Sequence, residues 1–93
     1  MSMDAKTGIT DGALVATVPD IETILIVHTG VDPVVLAGQE DAPLIDLEID
    51  SLAVLELQSV VVERFGVEIP LDALTMSVSQ IVTFINDRTR ESA

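Results

Sequence analysis

Apolar residues fall at helical spacing in three stretches of this chain, and each stretch carries its own start and stop signals. In the first, Ile21, Ile24, Leu25 and His28 share one face. Thr17 is placed to cap that helix, Pro19 and Asp20 suit its first turn, and Gly30 followed by Pro33 ends it. The second stretch predicts a helix from Ser51 to Phe65, closed by Gly66. At about 100° per residue, Val54, Leu57, Val61 and Phe65 gather on one side, widened by Leu55, Val60 and Val62. The opposite stripe is Leu52, Glu56, Ser59 and Glu63, and Gln58 sits inside the apolar arc, where only a backbone hydrogen bond would account for it. The third stretch opens on Ser77 and Gln80, a capping-box pair; it buries Val78, Ile81, Val82 and Ile85, and carries Arg88 and Arg90 near its C-terminal end.

Between these helices the pattern weakens. Asp32-Pro33 suits a single helical turn through Val34, Val35 and Leu36. The rest of 31–49 reads as a long acidic loop anchored by Leu44 and Leu47, and loops of that length in small domains are often functional. Val67 to Pro70 reads as an extended link and Leu71 to Leu74 as one short helical turn. No repeat or convincing strand alternation interrupts this all-α reading: three main helices, one short helix and a long first loop. Residues 1–16 are expected to form a flexible lead-in, 17–88 the domain and 89–93 a C-terminal tail.

Charge narrows the choice of partners. Sixteen acids against four bases give a net charge of −12, and no Lys or Arg lies between Lys6 and Arg64. Such a surface repels nucleic-acid backbones and favours basic proteins. An apolar share of 48% is too high for an acidic disordered tail. No apolar run is long enough to span a membrane and the N-terminus lacks a signal-peptide pattern, so a cytoplasmic monomer is expected. There is no cysteine, which removes disulfides and thiolate metal sites.

The chemistry centres on Ser51, where the acidic loop becomes a helix. A hydrolytic triad would need His28 as its base, but no Gly-x-Ser-x-Gly elbow surrounds the serine, and His28 reads as a partly buried side chain of the first helix. Asp46, Glu48 and Asp50 have the spacing that opens a calcium loop, yet Ser51 stands where that loop needs Gly and Leu57 where it needs Glu, so no resident metal is expected. Asp50-Ser51 also suits a plain helix cap. A cap leaves the exposed Leu52 unexplained, whereas a helix N-terminus accommodates a phosphodiester on Ser51 well.

Asp50-Ser51-Leu52, preceded by Asp46-Leu47 and followed by Glu56-Leu57, resembles the acyl carrier proteins of fatty-acid and polyketide synthesis. The likeness extends from about residue 17 to 87 through Ile21-x-x-Ile24-Leu25, His28 to Pro33, and Glu63-Arg64-Phe65-Gly66-Val67-Glu68-Ile69-Pro70. It implies a four-helix bundle with a long first loop and no catalysis of its own. It further implies that a magnesium-dependent phosphopantetheinyl transferase moves 4′-phosphopantetheine from coenzyme A onto Ser51, with Asp50 beside the magnesium and phosphate. The arm's thiol would then hold acyl or polyketide intermediates as thioesters for ketosynthase, acyltransferase and tailoring enzymes. The family's recognition helix corresponds to 51–65, making Leu52, Leu55, Glu56, Ser59, Val62 and Glu63 the candidate partner contacts.

Three positions depart from the family pattern. Glu48 stands where Gly is usual, and would be strained if the backbone there needs φ > 0. Ser59 and Val62 replace a frequent Met and Glu, which favours a dedicated polyketide or related secondary pathway over general fatty-acid synthesis. The competing reading is an unmodified acidic helical adaptor that docks through the Leu52–Glu63 stripe into a basic groove.

Overall fold

The computed structural model describes residues 15–92; most of the expected lead-in, residues 1–14, lies outside them. The described chain runs through helix α1 (Val18–Thr29), the single turn α2 (Pro33–Leu36), a 3-10 turn at Leu44–Leu47, α3 (Ser51–Phe65), a second 3-10 turn at Leu71–Thr75, and α4 (Val78–Ser92). It is a helical bundle with no strand among the described residues. A lone antiparallel bridge joins Pro43 to Ser77.

Each helix begins where a side chain satisfies its free N–H groups. At α1, Thr17 Oγ1 accepts from Asp20 N at 3.2 Å while Asp20 Oδ2 accepts from Thr17 N at 3.1 Å. At α4 the same reciprocal box forms: Ser77 N donates to Gln80 Oε1 at 2.9 Å, and Gln80 N to Ser77 Oγ at 3.1 Å. The ends of α1 and α3 fall on Gly30 and Gly66, both left-handed. By contrast α4 does not stop at Arg88. Residues 89–92, expected as a tail, prolong the helix because neither Gly nor Pro follows Ser77. Local contacts support this last stretch: Arg88 stacks 5.1 Å from the Phe84 ring centroid, and Arg90 pairs with Asp87.

The core draws Ile21, Ile24 and Leu25 from α1, Val54, Leu57 and Val61 from α3, and Val78, Ile81 and Ile85 from α4. Helix α1 packs against both α3 and α4 and so forms the centre of the bundle. The loop 31–49 is pinned by the buried Leu36, Leu44 and Ile49, with Leu47 half-buried. Its main chain is tied down as well, by Leu44 N to Met76 O and Ser79 N to Glu40 O, each 2.9 Å. At the start of the described chain, Asn86 holds both main-chain groups of Ala16: Ala16 N donates to Asn86 Oδ1 at 2.8 Å and Asn86 Nδ2 to Ala16 O at 3.0 Å.

Two expectations about faces are corrected. The buried arc of α3 is narrower than its apolar composition suggests: Leu55 and Val62 are exposed, Val60 is half-buried, and Ala53 is buried instead. The neighbours α1 and the 3-10 turn at Leu71–Thr75 cover only the side of α3 that carries Ala53, Val54, Leu57 and Val61. His28 is exposed rather than partly buried. The buried stripe of α1 ends at Leu25, and an imidazole with no hydrogen bond to a described residue is better solvated than enclosed.

Candidate functional site

The start of α3 is set up by the residues before it. The 3-10 turn Leu44–Leu47 ends on Glu48, whose φ of 62° and ψ of 27° are left-handed. Glu48 is the only non-glycine residue with positive φ among those described. That geometry lets Glu48 N donate to Ile45 O and Ile49 N to Leu44 O, both at 3.2 Å, and turns Ile49 into the core. Asp50 is then extended, and its Oδ1 accepts from Ala53 N at 3.0 Å. Asp50 is therefore the cap, and Ser51 is the first helical residue.

This division answers what the serine is for, as far as folding goes. Ser51 is exposed, and no described residue hydrogen-bonds to its hydroxyl. The main-chain N–H groups of Ser51 and Leu52 likewise have no described partner, as expected for the first turn of a helix. An open hydroxyl next to free N–H donors at the positive end of a fifteen-residue helix fits a covalently attached phosphate group. Beside it lies a surface cleft of about 310 Å³, with Gly30, Asp32 and Val35 on one side and Leu47, Glu48 and Asp50 on the other.

The other sequence-level candidates separate from the serine. No hydrogen bond joins His28 to Ser51. Among the described residues, no three His, Asp or Glu side chains converge into a group able to hold a metal ion, so Asp46, Glu48 and Asp50 do not form one. The expected partner residues Leu52, Leu55, Glu56, Ser59, Val62 and Glu63 are all exposed. The large aliphatic side chains among them stand well out of the core, Leu52 63%, Leu55 47% and Val62 44% exposed. Three large aliphatic side chains thus share the outer face of α3 with the carboxylates of Glu56 and Glu63. Gln58 is explained: its Nε2 donates to Ile69 O at 2.7 Å and fastens the 67–70 link to α3. A glutamine within an apolar arc is itself a signal for such a bond, although the sequence does not reveal the acceptor.

The left-handed Glu48 carries a measurable cost. A side chain in this conformation costs on the order of 1 kcal/mol relative to glycine. Glu48→Gly is expected to raise stability by up to about 1 kcal/mol, or a few degrees in Tm, read from denaturant and thermal unfolding. Glu48→Ala keeps the Cβ and should gain much less; equal gains from both would assign the cost to the carboxylate instead.

A family model described as the phosphopantetheine attachment site matches residues 19–85, from the first turn of α1 into α4. The chain belongs to this phosphopantetheine-binding family, and its cofactor is covalently attached 4′-phosphopantetheine. It is a carrier protein of the kind that is generally non-catalytic and receives its arm from a phosphopantetheinyl transferase. No curated protein and no solved structure matches the chain. No described helix is long and apolar enough to cross a membrane.

Proposed function

We propose that Ser51 is the attachment residue, and that the chain is a carrier presenting acyl or polyketide intermediates to partner enzymes. The observation that carries this reading is the exposed Ser51 hydroxyl, free of hydrogen bonds to described residues while Asp50 alone caps α3. When attached, the arm supplies the thiol that this cysteine-free chain lacks, and cargo is held there as a thioester. The protein's own residues have simpler tasks. Ser51 offers its hydroxyl oxygen to solvent and to the transferase, and the N–H groups of Ser51 and Leu52 stabilise the negative phosphodiester formed there. Asp50 holds the first turn in place through Ala53 N, and during loading it would neighbour the transferase's magnesium and the phosphate that comes from coenzyme A.

Leu52, Leu55, Glu56, Ser59, Val62 and Glu63 form the face that the transferase, ketosynthase, acyltransferase and tailoring enzymes read. Its aliphatic character supports a dedicated polyketide or related secondary pathway more than general fatty-acid synthesis. Incubating the wild-type chain with coenzyme A, magnesium and a broad-specificity transferase should add the mass of one arm. A chain left unmodified by several such transferases would remove the basis for the proposal. With a net charge of −12, binding to a basic enzyme partner should also weaken as salt rises, and a salt-independent affinity would refute the electrostatic part.

A further inference from the structure

The cleft beside Ser51 has a lining that attachment alone does not need. Its volume is about 310 Å³, and both Asp50 and Ala53, which flank Ser51 and Leu52 along the chain, border it. Val31, Val35 and Leu47, each half-buried, give it an aliphatic wall. Asp32, Glu48 and Asp50 place carboxylates in the same lining, and none of them forms an ion pair with another described residue. Asp32 Oδ1 accepts from Val34 N and Asp50 Oδ1 from Ala53 N, so each already caps a helix. Of the three, only Glu48 has a side chain with no hydrogen bond to a described residue. It is also the residue held at a φ of 62°, a conformation that glycine would adopt without cost. Backbone outliers of this kind gather at functional sites.

The group tethered nearest to this cleft is the arm itself. In 4′-phosphopantetheine the phosphate is followed by a carbon bearing paired methyls, then by a hydroxyl and an amide N–H. The methyls match the aliphatic wall, and the hydroxyl and N–H are neutral donors that a carboxylate accepts strongly. The phosphate does not belong there, because the carboxylates repel it; it stays with the free N–H groups of Ser51 and Leu52. We propose that this cleft is a resting seat for the neutral, branched part of the arm. Val35 and Leu47 pack against the methyls, and the Glu48 carboxylate accepts from the hydroxyl and the adjoining amide. The presence of the arm beside the cleft rests on the attachment at Ser51 proposed above. Seating shortens the length of arm that is free to swing, so Glu48 is a positioning residue for the thiol and takes no part in attachment.

The test is NMR of the isotope-labelled chain before and after a transferase loads it from coenzyme A. In the arm-bearing chain, nuclear Overhauser contacts should join the arm's methyls to Val35 and Leu47. The amides of Val31, Val35, Leu47 and Glu48 should shift on loading. Glu48→Ala keeps the Cβ and should lower these contacts about threefold, near the low end for a single hydrogen bond. Glu48→Gln keeps an acceptor oxygen and should restore part of them. Glu48 is exposed, so both variants should fold as the wild type does and give its spectrum outside residues 45–53 before loading. Shifts confined to residues 50–52, or contacts that survive Glu48→Ala undiminished, overturn the seat. So do arm contacts with Leu71–Thr75 in place of Val35 and Leu47. Mass reports attachment separately. A chain loaded at Ser51 without these contacts loses the seat and keeps the carrier function, whereas a chain never loaded loses both.

Discussion

Ser51→Ala is expected to yield a folded chain that takes up no arm at all. The loss should be complete because attachment needs the hydroxyl oxygen itself, and alanine supplies no nucleophile in its place. The fold should survive because the hydrogen bond that starts α3 belongs to Asp50, and the exposed Ser51 side chain has no hydrogen bond to another described residue. Removing an exposed hydroxyl of this kind shifts stability by no more than about 0.5 kcal/mol. Asp50→Ala provides the contrast, since losing the cap costs about 1 kcal/mol. Mass spectrometry after exposure to coenzyme A and transferase, with thermal unfolding of the same samples, separates the two effects. Continued uptake by Ser51→Ala would move the attachment to another hydroxyl. An intact biological function in that variant would favour the unmodified adaptor.

The second large effect is in the core. Leu57 is fully buried at the middle of α3, and Leu57→Ala should cost about 3 kcal/mol through lost burial and the cavity left behind. For a domain of this size that lowers Tm on the order of 15 °C. Leu55→Ala lies two residues earlier on the same helix and removes the same atoms, yet should cost less than about 1 kcal/mol because Leu55 is 47% exposed. If the two leucines proved equally costly, the assignment of Leu55 to the outer face would fail. A selective loss of partner binding in Leu55→Ala would place it in the interaction surface.

The difference between these leucines marks how far the sequence could be read. Hydrophobic spacing and end signals carry the helices well: Thr17, Gly30, Gly66 and the Ser77–Gln80 box all do in the structure what their chemistry suggests. Periodicity measures how apolar a face is, but not how much of it neighbouring elements cover. Leu55 and Val62 therefore sit in an apolar arc by spacing and in solvent by packing, and His28 shares a face with buried residues yet lies beyond their cover. The loop before Ser51 was legible at the Pro33–Leu36 turn and at the anchors Leu44 and Leu47, and less so elsewhere. Its 3-10 turn is held in place by tertiary hydrogen bonds, such as Leu44 N to Met76 O, that leave no local pattern. The left-handed backbone at Glu48 could be anticipated only by comparison with a family that prefers glycine there. For Ser51 the sequence left a cap and an attachment point both open, because Asp and Ser are equally good caps; only the bond from Ala53 N to Asp50 decides which of them serves.

The grip of Asn86 on Ala16 has a consequence for the chain as an object to be cut and joined. A single carboxamide brings residues seventy positions apart side by side, so the start of the described bundle lies against α4 six residues before that helix ends. A short linker from the end of α4 back to Ala16 would close the chain into a ring with little rearrangement, and a new opening at an exposed bend such as Gly38 should then give a permuted bundle of the same architecture.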